Sequence, residues 1–149
     1  MGQKYAFVMM TKEKWWSRFL SDHREGKRTQ SYVQKGVAPP KNASLILFYV
    51  SRSVAEIAGY AEFVQREVGE PTEAWKNHGK ETVLRSESEF REFIGDKSQV
   101  SFIRFQNLKE ARHALPLAHV LNLLGVKRLS RKGFYVDRGT AEKMISDMG

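Results

Sequence analysis

The 149-residue sequence contains no cysteine, which excludes disulfides, thiolate metal ligands and cysteine nucleophiles together. It has no apolar run near the roughly 18 residues of a membrane span. The N-terminal stretch MGQKYAFVMM lacks the hydrophobic region of a secretory signal, so a cytoplasmic location is expected. The same stretch misses the myristoylation pattern because position 6 is alanine. Neither G-x-G-x-x-G nor G-x-x-x-x-G-K-[ST] occurs, and no cofactor is expected. The four histidines, His23, His78, His113 and His119, form no i,i+3 or i,i+4 pair, and no H-E-x-x-H or acidic calcium loop accompanies them. No metal site is expected. Linkers, repeats and low-complexity segments are also missing. Residues 1–149 therefore read as one domain, long enough to bury a core without staples.

What the sequence has in abundance is positive charge, unevenly placed. Residues 1–53 hold ten Lys and Arg against three Asp and Glu, residues 54–96 five against ten, and residues 97–149 ten against four. Two basic ends flank an acidic middle. If the ends meet in the fold, one face seeks a polyanion.

Periodicity gives the element order β-α-β-β-β-α-α-β-α-β-α. YAFVMM (5–10) predicts a strand. TKEKWWSRFLSDH predicts a helix capped by Thr11, with Trp15/Phe19 and Trp16/Leu20 at i,i+4. KRTQSYVQ (27–34) alternates as a strand, and VAPPKNA is a turn. SLILFYV (44–50) predicts a strand buried on both faces; EIAGYAEFVQREVG (56–69) predicts another, with Gly59 at a bulge or corner. Pro71 opens one short helix, and Ser86 with Glu89 forms a capping box for the next. Strand composition returns in the first half of 99–115. Pro116 to Gly125 frames a helix, GFYVD (133–137) a strand, and TAEKMISDM a last helix capped by Thr140. This order is not strict βαβ alternation. It predicts a mixed, mostly antiparallel pseudobarrel, mainly β with peripheral helices.

Two basic–aromatic stretches carry the functional signal. In KRTQSYVQK, alternation puts Arg28, Gln30, Tyr32 and Gln34 on one face and Lys27, Thr29, Ser31, Val33 and Lys35 on the other. The first face offers forked donors, amides and a ring, and is expected to open into a concave site. In GVKRLSRKGFYVD, four cations including Arg131 and Lys132 precede Gly133, which would let backbone approach a phosphate. Trp16 is a candidate platform for an unstacked base. Arg52 and Arg104, polar residues at apolar strands, are candidates for the cleft or for salt bridges at its ends.

The run of strand, helix, REGKRTQSYV, a proline turn, SLILFYVSR and EIAGYAEFV resembles the PUA-like superfamily, in particular its ASCH and EVE branches. The resemblance is closest to a small archaeal family with that fold. Along the ASCH pattern Gly-x-Lys-x-x-Glu-x-Arg, this sequence places Gly26, Arg28, Ser31 and Val33. The resemblance implies a β-pseudobarrel whose cleft binds RNA or a modified nucleotide, and the first reading of this sequence is such a module without catalysis. Lys27, Arg28, Lys35, Arg131 and Lys132 would take phosphates; Arg28, Gln30, Tyr32 and Trp16 would take bases. Some ASCH-like proteins resemble amidohydrolases of acylated nucleosides that use a lysine, a threonine and a glutamate. Lys27, Thr29 and Glu62 supply those residue types here, at other spacings. A third reading makes 54–96 a docking surface for a protein partner.

Overall fold

The computed structural model describes residues 4–51 and 54–149. Its elements follow the expected order: β1 (Ala6–Thr11), α1 (Glu13–Arg24), β2 (Thr29–Lys35), β3 (Leu45–Val50), β4 (Glu56–Gly69), α2 (Pro71–His78), α3 (Glu87–Ile94), β5 (Val100–Pro116), α4 (Leu117–Leu124), β6 (Phe134–Val136) and α5 (Arg138–Asp147). A 3₁₀ turn, Gly79–Glu81, continues α2.

Where the boundaries differ from expectation, pairing or a competing cap decides. Thr11 does not cap α1. It is the last residue of β1, held there by pairing with Val50, and its hydroxyl donates to the Met9 carbonyl. Asp137, not Thr140, caps α5 by accepting from the Thr140 amide. The polar second half of β5 is strand as well, because it stays paired with β4 as far as Glu56↔Pro116. Ser86 accepts from the Glu89 amide as expected, whereas the Glu89 carboxylate reaches past the cap to the Arg85 amide.

The strands form one sheet in the order β2-β5-β4-β3-β1-β6. Among the described residues, β1 and β3 form the only parallel ladder. The expected mainly-β fold with peripheral helices is the one observed, but the sheet is not a closed barrel: β2 and β6 are its edges. β3 is buried on both faces, as its composition predicts. Ile46, Phe48 and Val50 enter one core beneath α1 and α3; Leu47 and Tyr49 enter a second core with Val120 of α4 and Met144 of α5. The alternation of side chains along a strand thus feeds two cores from one element. Gly59 does sit at a register shift in β4. A Cβ there would strike the Lys109 carbonyl and come within 2.7 Å of the Trp16 ring, so the glycine is required by close packing.

The edges position the site. β6 covers only Ala6–Val8, leaving Met9–Thr11 without a strand on that side. Among the described residues, β2 pairs with β5 alone, apart from a single bridge between Ser31 and Thr82. Across the gap, the Tyr32 hydroxyl donates to the Met10 carbonyl at 3.3 Å. The sheet curls until β2 and the end of β1 face each other without forming a ladder.

Candidate nucleic-acid interface

Two openings lie along that unladdered seam and share Met10 and Gln34. One, of about 370 Å³, runs over Phe7 and Met9 to the proline turn, with Arg131 and Lys132 on its rim. The other, of about 390 Å³, has Trp15, Tyr32 and Phe93 as its apolar wall and Lys12 and Lys35 beside them. Among the described residues, no carboxylate lines either opening. Among the described residues, none of these four cations forms an ion pair, and Lys35 lies 5.5 Å over the Phe93 ring. The basic ends of the chain meet here: residues 7–12, 32–39 and 131–132 come from both. A mixed lining of apolar side chains and unpaired cations suits a ligand that is aromatic at one end and anionic at the other.

Tyr32 lines the second opening but is almost buried. It is 7% exposed, its ring meets Phe19 edge-on at 5.4 Å, and burial pushes its phenol up to about 12, so it remains a neutral donor. Gln30 is 1% exposed and donates through Nε2 to the Phe19 carbonyl. Trp16 is 6% exposed and packs on Phe48. The expected Arg28/Gln30/Tyr32 face therefore does not open as a reading surface. α1 covers it, because the two apolar spacings of that helix need a partner face. Trp16 and Gln30 are core residues, and Arg28 is exposed but lines neither opening. Gly133, expected to admit a phosphate, is pressed against Phe7 and the Val8 carbonyl; it pins the basic loop to β1.

Arg104 takes the salt-bridge role. Its guanidinium donates from Nε and Nη2 to both oxygens of Glu81, at 2.9 and 3.0 Å, and from Nη1 to Gln65. Ser31 donates to the same carboxylate at 2.8 Å. Burial pushes Glu81 up, yet the hydrogen bonds from Arg104 and Ser31 and the Arg104 charge outweigh it, leaving the carboxyl below its usual range. This network fastens the 3₁₀ turn to β2 and β5.

The trio Lys27, Thr29 and Glu62 does not assemble. Lys27 donates to Asp22 and to the Thr82 carbonyl. Glu62 accepts from Gln106 and Asn107. Gln106 stands between Thr29 and Glu62 in the ladder, which puts them two strand spacings, about 10 Å, apart. Arg52 lies outside the described residues. Sequence reasoning missed Lys12, Met10 and Phe93 as site residues, whereas Gln34, on the face expected to open, does line both openings. Lys12 had a signal, a cation at a strand-to-helix junction; Phe93 had none, since only the docking of α3 brings it to the seam.

Among the described residues, no group of three His, Asp or Glu is placed to hold a metal ion, and no helix is long and apolar enough to cross a membrane. No family model matches the sequence, and no curated protein matches it. Solved structures do. The ASCH protein of Zymomonas mobilis superposes with a TM-score of 0.78 at 15% identity, covering 96% of this chain and 95% of that one. Its serine-to-alanine variant gives 0.79 at 16% identity, with 98% of both chains covered. Its tyrosine-to-phenylalanine variant gives 0.77 at 15%. The likeness is one of fold, over nearly the whole length, and it agrees with the PUA-like architecture. The matches supply nothing for the narrower archaeal resemblance.

Proposed function

We propose that the seam between β1 and β2 binds RNA, taking an unstacked base against its apolar side chains and the flanking phosphates on Lys12, Lys35, Arg131 and Lys132. One observation carries this reading: among the described residues, two adjoining openings are lined by apolar side chains together with four unpaired cations and no carboxylate. A cavity built this way repels cations, offers no acid–base pair of carboxylate or histidine, and leaves its positive charge for a ligand. The hydrolase alternative has less support, because its lysine, threonine and glutamate are held apart by Asp22 and Gln106.

The test is binding of a short single-stranded RNA followed by fluorescence anisotropy across salt concentrations. Arg131→Ala with Lys132→Ala removes two rim cations that take no part in the core. The double variant is expected to lower the log–log salt slope by about 1.4, at roughly 0.7 per single-strand phosphate contact. An unchanged slope would remove this rim from the interface. Release of an acyl group from an acylated nucleoside, abolished by Lys27→Ala, would replace binding with catalysis as the function.

A further inference from the structure

A third opening lies beyond the Thr82–Leu84 segment and is not part of the seam. It has a volume of about 400 Å³ and is lined by Lys27, Lys76, Lys80 and Arg85, with Trp75 and Thr82 among the remainder. Among the described residues, four cations line it and no carboxylate does. Asp22 stands behind two of the four. It is 6% exposed and accepts from Lys27 at 3.3 Å and from Arg85 at 3.2 Å, while Lys27 also donates to the Thr82 carbonyl at 3.1 Å. A buried acid thus fixes two cationic heads whose remaining donors stay free, since an ammonium carries three and a guanidinium five. Among the described residues, Lys76 and Lys80 form no ion pair. One carboxylate does not balance four cations. Their mutual repulsion around a concave surface is relieved when an anion enters.

The position of this groove relative to the seam gives the anion its identity. Lys12, at the seam, directly precedes α1, and Asp22 lies ten residues on in the same helix. At 1.5 Å per residue the two are about 15 Å apart. Lys14, over the Trp15 ring, lies between them, as does Arg18, which is also over that ring but is paired with Glu89 at 3.0 Å. We infer that the groove binds phosphodiester groups of the same single strand whose base enters the seam. The inference rests on the seam being the base site, and it extends the footprint from one nucleotide to several, within the range of about 4–16 found for single-strand-binding domains.

The experiment uses the full chain and two probes, a uridine dinucleotide and a uridine decamer, with Lys76→Ala/Lys80→Ala and Arg131→Ala/Lys132→Ala as variants. Lys76 and Lys80 are exposed and, among the described residues, their side chains make no hydrogen bond or ion pair, so their removal is expected to leave the fold intact. The Lys76/Lys80 variant is expected to bind the decamer about tenfold more weakly, with a salt slope smaller by about 1.4, and to bind the dinucleotide as wild type does. An unchanged decamer affinity and slope would overturn the inference. If the dinucleotide binds nowhere while the Lys76/Lys80 variant still weakens the decamer, the seam's role fails and the phosphate groove stands. Calorimetry with inorganic phosphate separates the sources. Stoichiometric phosphate binding that needs Lys76 and Lys80, with no effect of the variant on the decamer, would assign the groove to a small anion and overturn the strand reading.

Discussion

Tyr32 shows how little a residue's type says about its job. As one ring among cations in KRTQSYVQK it suggests a stacking platform, yet the structure uses it as a strut. Its hydroxyl crosses the seam to the Met10 carbonyl, and its ring is held by Phe19. Tyr32→Phe is expected to cost about 0.5–1.5 kcal/mol in urea denaturation, the usual worth of one such hydrogen bond. Tyr32→Ala is expected to cost about 3–5 kcal/mol, as truncation of a buried aromatic does. Loss of binding in the alanine variant would therefore report unfolding, and the phenylalanine variant is the informative one. A stability loss below 0.5 kcal/mol for Tyr32→Phe would show that the strut is idle. Gly59→Ala tests packing from the other side: with a backbone carbonyl and the Trp16 ring in the way, a loss of about 1–3 kcal/mol is expected.

At the scale of elements, the 3₁₀ turn after α2 is fastened by one carboxylate. Glu81 accepts from Arg104 and Ser31, and its carboxyl lies below the usual 4.5. A depressed folded-state value means that the stabilisation is present above the unfolded value and is lost as pH falls through the folded one. Glu81→Gln is expected to destabilise the protein at pH 7 by about 1–3 kcal/mol, with the gap to wild type closing in acid, below about pH 4.5. Melting curves at both pH values check this, and a gap that persists in acid would assign the effect to lost packing. The same elements show what the sequence can and cannot reveal. Period and proline positions marked every helix and strand, because those signals are local, although two of the expected caps, Thr11 and Thr140, were not the ones used. The alternation of β2 was legible too, but not which face would be covered. That was decided by α1 docking on Gln30 and Tyr32, a contact between segments whose separate patterns allow either arrangement. The second half of β5 was invisible for a related reason: NLKEARHA has no apolar alternation, and only its pairing with β4 makes it a strand.

At the scale of the whole molecule, the uneven charge becomes a placement. The two basic ends meet along the seam, and the acidic middle turns part of its charge inward, with Glu81 on Arg104 and Glu89 on Arg18. This weakens the case for residues 54–96 as a uniformly acidic docking surface and leaves three of that segment's own cations, Lys76, Lys80 and Arg85, facing a groove. The seam is also the place where the sheet fails to close, so a ligand touching both β1 and β2 ties together the two strands that no ladder joins. Binding to the folded state alone raises stability by about 2.7 kcal/mol at a ligand concentration of 100 Kd. For a chain of this length that corresponds to a melting shift of roughly 5–10 °C, at about 2–4 °C per kcal/mol. The decamer should produce such a shift in wild type at low salt and a smaller one in Arg131→Ala/Lys132→Ala, whose own melting point without RNA should be unchanged. Equal shifts in the two proteins would mean that the strand binds elsewhere, on surface charge that the seam does not organise. A shift that survives in 0.5 M salt would mean that contacts other than phosphate–cation pairs dominate, since those pairs weaken by orders of magnitude over that range.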